Sequence, residues 1–264
     1  MQNIRNYVRP QSLEEAYTLN QKRSSRIIGG MLWLKMGNGN IQTAIDLCDL
    51  GLDTIEETDE QFTIGAMVSL RTLEQHEAFN AYCGGAFALA VGDIIGVQFR
   101  NLATIGGSLW GRFGFSDVLT VLLSMDCQVE LYHAGIVPLS EFVNMKRDRD
   151  ILVRVIVRKT PGRFAYQAMR IQRTDFPVLT CSASRMNGQL QIAVGARPGR
   201  AMLLPDANGL LSAPDEQPLT PEKIETLAGY AADTVPTGSN LRGSSEYRTH
   251  LVRVLVSRAL GELI

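Results

Sequence analysis

Two six-residue stretches, Ile28-Gly29-Gly30-Met31-Leu32-Trp33 and Ile105-Gly106-Gly107-Ser108-Leu109-Trp110, both spell Ile-Gly-Gly-x-Leu-Trp, and each closes on one of the chain's two tryptophans. Adjacent glycines let the main chain turn sharply and leave neighbouring N–H groups uncovered, which suits the oxygens of a phosphate. Taken singly, either pair is better explained as a tight turn beneath a packed element. Taken together, with the hydroxyls of Thr104 and Ser108 beside the second pair, they match the two phosphoryl groups of a diphosphate. No Gly-Lys-Ser/Thr follows either pair, so the lysine and the magnesium-holding hydroxyl of a P-loop are missing. Neither stretch is a Gly-x-Gly-x-x-Gly, and no acidic residue can be placed as the ribose contact of a Rossmann site. A dinucleotide held by some other fold stays open.

Other chemistries find less support. Cys48, Cys83, Cys127 and Cys181 are far apart and mostly inside apolar runs, which gives neither a C-x-x-C metal site nor an iron–sulfur pattern and reads as buried free thiols. His76, His133 and His250 are equally scattered, with no partners for a zinc site or a Ser-His-Asp triad. The net charge of −1 supplies no basic field for nucleic acid, and Asp148 and Asp150 dilute the arginines between 146 and 163. The amino-terminal residues contain no apolar core of a signal peptide, and no run approaches the roughly eighteen apolar residues of a membrane span. A cytoplasmic protein is expected.

The elements that must position the glycine pairs can be read in outline. At 264 residues the chain exceeds the usual size of one domain. Ser12 with Glu15 opens a capping box for a helix over 12–20. Arg26 to Ile28 reads as a strand that breaks at Gly29-Gly30, followed by a helical turn ending at Gly37 and a second strand over 44–50. Residues 52–64 suggest a hairpin about Thr58 to Glu60, and Leu70 to Val91 a helix or a helix pair divided at Gly84-Gly85. Ser116 or Asp117 caps an apolar helix, and strands are expected over 128–132 and 151–157. From Arg163 the texture becomes that of an antiparallel meander turning at Asn187-Gly188. A connection over 205–221 then leads to helices at Pro221 to Ala232, capped by Thr220, and at Glu246 to Leu260.

The run Gln98-Phe99-Arg100-Asn101-Leu102-Ala103-Thr104-Ile105-Gly106-Gly107-Ser108, continuing through Asp117 into a long apolar helix, resembles the flavin-binding segment of the FAD subunits of molybdenum hydroxylases. This is the xanthine dehydrogenase and carbon monoxide dehydrogenase group. Ile27-Ile28-Gly29-Gly30 stands at that family's first diphosphate loop, TIGAMVSLRTL resembles its next segment, and SSEYRTHLVRVLVSRAL resembles its closing helix, so the likeness runs along nearly the whole chain. It implies an α+β fold. Residues 1–160 would form a two-part FAD-binding domain, with α/β portions of about 1–50 and 51–160, and residues 161–264 a smaller domain of antiparallel strands and helices, with FAD between them.

Carried over position by position, the resemblance assigns the diphosphate and its adjoining sugars to the main chain of Ile27, Ile28, Gly29, Gly30, Met31, Leu32 and Trp33 and of Thr104, Ile105, Gly106, Gly107 and Ser108. Asp117 falls on the family's flavin-contacting aspartate, a role compatible with its place at a helix start. Ile94 and Leu152 match weaker apolar contacts, for which plain core packing is the better explanation, as it is for Trp33 and Trp110. Arg100-Asn101 is better read as fixing the turn before Thr104 than as reaching phosphate. FAD would be non-covalent, with no His or Cys in either glycine stretch. The implied partners are a molybdopterin-bearing subunit and a subunit with two-iron two-sulfur clusters, with NAD as one candidate acceptor. The chain departs from the family pattern at Met31 and Leu32, where Thr and Asp are usual, at Ser108 for Asn, at Phe113-Gly114-Phe115 for a Ser-Pro-rich turn, and at Gln167, a position often Lys. A subunit that keeps the fold for assembly after losing FAD, and a stand-alone flavin oxidoreductase, are the alternatives.

Overall fold

The computed structural model describes residues 3–207, 209–214 and 217–264. Along the chain, β1 (Asn3–Val8), α1 (Leu13–Asn20), β2 (Ser25–Ile28) and β3 (Asn40–Asp46) come first, followed by β4 (Ile55–Glu57) and β5 (Gln61–Gly65). Short helices α2 (Leu70–Glu74), α3 (Glu77–Tyr82), α4 (Ala86–Gly92), α5 (Val97–Leu102), α6 (Ile105–Gly111) and α7 (Asp117–Leu123) follow, then β6 (Cys127–Leu131), β7 (Gly135–Pro138), α8 (Leu139–Phe142) and β8 (Leu152–Arg158). The C-terminal part contributes β9 (Gly162–Met169), β10 (Leu179–Met186), β11 (Gln189–Gly195), β12 (Met202–Leu203), α9 (Pro221–Thr234) and α10 (Ser245–Gly261). This is the α+β architecture expected from the sequence.

The chain forms two compact units, each gathered from separate stretches. Met1–Leu73, Val97–Gly111 and Gln128–Val157 make the first, and Glu74–Gly96, Arg112–Cys127 and Arg158–Ile264 the second. In the first unit β3 pairs in parallel with both β1 and β2, and a five-stranded sheet runs in the order β4-β5-β8-β6-β7. In the second, β12-β11-β10-β9 is an antiparallel meander in sequence order, as the turn signals imply. Its apolar face, carrying Leu179, Cys181 and Ala183, shares a core with Leu227, Ala231, Val252 and Val256 of α9 and α10.

Several boundaries differ from expectation. The second strand lies at 40–46 rather than 44–50, because the chain turns after Asp46, whose carboxylate accepts the Cys48 N–H at 3.0 Å. The segment 70–91 is three helices, not one or two. Gly84 and Gly85, with φ of 57° and 78°, make the expected break, and His76 makes another by capping α3 through Nδ1 at 3.2 Å from the Phe79 N–H. The second glycine pair does not end a strand. It forms the first turn of α6, two residues after α5. Within the expected connection 205–221, residues 208, 215 and 216 lie outside the described residues.

Candidate functional site

The first unit brings the two glycine stretches side by side. Gly30 approaches the main chain of Leu102 so closely that a Cβ on it would lie 1.8 Å from the Leu102 carbonyl oxygen, and one on Gly29 would lie 2.7 Å from Thr104 Oγ1. Only glycine permits this approach. The chain then passes through Met31 at φ 57°, a left-handed conformation that a residue with a Cβ adopts at a cost of roughly 1–2 kcal/mol. Strain of this kind persists where the surroundings enforce it.

The consequence is a row of half-buried, unbonded donors. Ile27 and Ile28 are held in β2, Ile28 being buried, and no hydrogen bond among the described residues uses the N–H groups of Gly30, Met31 or Leu32. Trp33 meets the Phe99 ring edge-on at 6.0 Å, and Trp110 meets Phe142 at 6.0 Å, so both tryptophans pack on phenylalanines.

The second stretch is built differently. Ile105 and Gly106 donate their N–H groups to the carbonyls of Val68 and Ala66, both at 2.9 Å, while Leu70 donates to the Ala103 carbonyl at 2.7 Å. Thr104 Oγ1 accepts the Gly107 N–H at 3.1 Å, and the Thr104 carbonyl accepts both the N–H and the hydroxyl of Ser108. These donors are therefore engaged within the protein. The Thr104 and Ile105 side chains are buried, and the expectation that both stretches offer uncovered N–H groups gives way to one open loop seated on a closed one.

The other predicted residues divide between the units. Leu152, 5% exposed, begins β8 in the first unit. Ile94 belongs to the second unit and follows α4, its N–H bonded to the Val91 carbonyl at 2.9 Å. Asp117, also in the second unit, occupies the first turn of α7 behind the N-cap Ser116, whose hydroxyl accepts the Leu119 N–H at 3.1 Å. Ser116, not Asp117, is the cap.

Sequence reading missed the partners of Asp117. Tyr166 Oη and Arg170 Nη2 both donate to its Oδ1 at 2.5 Å. Burial raises the Asp117 pKa above its ordinary value, and the charge and hydrogen bond of Arg170 oppose that shift. Burial, then the charge of Asp117, pushes the Tyr166 phenol well above its ordinary range, so its hydroxyl stays protonated and donates. The available signal was physical. A carboxylate at the head of a largely apolar helix signals a need for a buried cation, though nothing in the sequence singles out Arg170 to supply it.

No group of three His, Cys, Asp or Glu among the described residues is placed to hold a metal, and no helix among them is long and apolar enough to cross a membrane. Glycine-enforced close packing beside N–H groups that have no acceptor among the described residues is an arrangement able to receive the oxygens of an anion, set in an α+β frame. Residues 2–159 match the family model of the FAD binding domain in molybdopterin dehydrogenase, and residues 164–263 that of the CO dehydrogenase flavoprotein C-terminal domain. The chain belongs to the FAD-binding flavoprotein family of molybdopterin dehydrogenases.

It is 27% identical to the nicotine 6-hydroxylase medium subunit of Paenarthrobacter nicotinovorans, over 97% of this chain and 96% of that one. It is 26% identical to the xanthine dehydrogenase FAD-binding subunit of Escherichia coli O157:H7, over 68% of this chain and 66% of that one. Its fold matches that of a chain of the carbon monoxide dehydrogenase from Hydrogenophaga pseudoflava with a TM-score of 0.85 at 21% identity, covering 98% of this chain and 96% of that chain.

Proposed function

We propose that this chain is the electron-transferring FAD subunit of a cytoplasmic molybdenum-containing hydroxylase or dehydrogenase complex. Within it, residues 1–160 serve as the FAD-binding portion and 161–264 as the C-terminal flavoprotein portion. Electrons reach FAD from two-iron two-sulfur clusters on one partner subunit, molybdopterin resides on another, and an acceptor such as NAD takes the electrons onward. The observation that carries the reading is the open loop at Gly30, Met31 and Leu32, whose N–H groups have no acceptor among the described residues and whose glycine cannot be replaced without displacing Leu102.

The residues fit the group. Three successive main-chain donors can bind a diphosphate without a charged side chain, so the loss of polar side chains at Met31 and Leu32 leaves this capacity intact. Thr104 lies against Gly29 beneath the loop, and Asp117 offers a carboxylate to a ribityl or ribose hydroxyl. Bound FAD supplies the redox chemistry itself, and the protein supplies position and electrostatics. No acid or base on this chain is required.

The test is purification. The expected protein is yellow, releases FAD on acid treatment, and co-purifies with chains carrying iron and molybdenum. A colourless protein that takes up no added FAD would overturn the reading. That outcome would favour an assembly subunit without cofactor, a reading that the internally bonded donors of Ile105 to Ser108 support.

A further inference from the structure

Asp117 is not needed as a helix cap, because Ser116 already holds the Leu119 N–H. It is nevertheless buried, with its side chain 5% exposed and that of its ion-pair partner Arg170 8% exposed. Both of its side-chain donors, Tyr166 and Arg170, reach the same oxygen, Oδ1, and no side chain of the described residues donates to Oδ2. Arg170 is itself fixed, since its Nη1 donates to the Asp175 carbonyl at 2.7 Å. Tyr166 and Arg170 also line an open cleft of about 460 Å³ with Leu89, Asp93, Met169 and Arg173. The arrangement ties Oδ1 from two sides and leaves Oδ2 without a side-chain donor among the described residues.

We infer that Arg170 and Tyr166 are positioning residues for the flavin nucleotide, holding the Asp117 carboxyl oriented so that Oδ2 accepts a hydrogen bond from a sugar or ribityl hydroxyl. The inference rests on the FAD reading above. A charged acceptor makes a hydrogen bond about twice as strong as a neutral one. A buried carboxylate without its cation reverts to the protonated form and loses that advantage. Arg170 thus acts through Asp117 and not on the ligand.

The experiment is fluorescence titration of flavin-depleted full-length chain with FAD, each variant being checked for native circular dichroism. Arg170→Met weakens FAD binding about tenfold, the equivalent of one charge-assisted contact, and Arg170→Lys recovers most of the loss. Tyr166→Phe, which removes a single hydroxyl, weakens it severalfold and serves if Arg170→Met does not fold. The decisive arm is coupling. In an Asp117→Asn background the further change Arg170→Met or Tyr166→Phe leaves affinity unaltered, which a merely structural role would not predict. Wild-type binding with unchanged affinity in Arg170→Met and Tyr166→Phe overturns the inference alone, as does a full additional loss in the Asp117→Asn background. A wild-type chain that takes up no FAD overturns the FAD reading and the inference with it.

Discussion

Three glycines of the doubled motif have three different reasons to be glycine, and the differences can be measured. A Cβ on Gly30 would sit 1.8 Å from a main-chain carbonyl oxygen and 2.5 Å from its carbon, neither of which can move aside like a side-chain tip. A Cβ on Gly106 would meet the Cβ and the carbonyl oxygen of Ala66, both at 2.7 Å, and would push α6 off the strand-like contact it makes there. A Cβ on Gly107 would meet only Thr104 Oγ1, at 3.0 Å, on an exposed face. Substitution by alanine should therefore cost most at Gly30, about 1–3 kcal/mol at Gly106 as in other overpacked sites, and at most a few tenths at Gly107, where alanine's helix preference of about 1 kcal/mol offsets the contact. Urea midpoints at unchanged slope give the ranking. A Gly107→Ala variant less stable than Gly30→Ala would show that the two stretches do not approach each other this closely.

At the scale of elements, the least expected feature is how α7 is fastened. Alternation along β10 puts Leu179, Cys181 and Ala183 into the apolar core, so the opposite face carries Thr180, Ser182 and Ser184, all buried. These hydroxyls are matched by α7 and the residue after it. Thr120 Oγ1 pairs with Thr180 Oγ1 at 2.9 Å, Ser124 Oγ pairs with Ser182 Oγ at 2.6 Å, and the Ser184 hydroxyl donates to the Ser124 carbonyl. Gly195 leaves the room, since a Cβ there would lie 2.2 Å and 2.6 Å from the two threonine hydroxyls. The pair is asymmetric. Thr120 also donates to the Ser116 carbonyl at 2.9 Å, whereas Thr180 has no other side-chain partner among the described residues. Thr120→Val should then orphan a buried hydroxyl and cost about 1–3 kcal/mol, Thr180→Val less than about 1 kcal/mol, and the double variant little more than Thr180→Val alone. Equal and additive losses in denaturant unfolding would count against the pairing. The helix start at Ser116 and the period-two strand were legible in the sequence because caps and alternation are local signals. The hydroxyl match was not, because it joins residues some sixty positions apart, and neither was the Asp117–Arg170 pair. Short helices such as α5 and α6 escaped for a related reason. They are one or two turns long, too short for apolar periodicity to register, and α6 is anchored by its bonds to Val68 and Ala66. Strand β1 was missed because NIRNYV is mostly polar and exposed, and only its parallel pairing with β3 reveals it.

For the whole molecule, the way the chain is divided in sequence and the way it is divided in space are not the same. The C-terminal family segment begins at 164, but the compact unit that contains it also takes in Glu74–Gly96 and Arg112–Cys127. All eight residues of β10 are buried, and the covering on the hydroxyl-bearing face is α7, which lies outside that segment. Cutting the chain at 160 would leave Thr180, Ser182 and Ser184 without their helix partners and open that face of the sheet to water. At roughly 25 cal/mol per Å² of apolar surface, the loss of a fully buried seven-residue helix removes several kcal/mol from a domain whose net stability is of that same order. A fragment of residues 161–264 should thus retain helix signal from α9 and α10, yet show no cooperative thermal transition and bind a hydrophobic dye. The full-length chain should unfold cooperatively under the same conditions. A fragment with a sharp transition and dispersed amide resonances would mean that α7 is dispensable to the sheet it covers. The interleaving also bears on flavin. The open loop belongs to the first unit and Asp117 to the second, while the chain crosses between the units at 73–74, 96–97, 111–112, 127–128 and 157–158. The segment 2–159 carries the open loop and Asp117 but not Tyr166 and Arg170, which lie in 164–263, so expressed alone it should bind FAD more weakly than the intact chain, and equal affinity in a flavin titration of the two would count against the role given to Arg170.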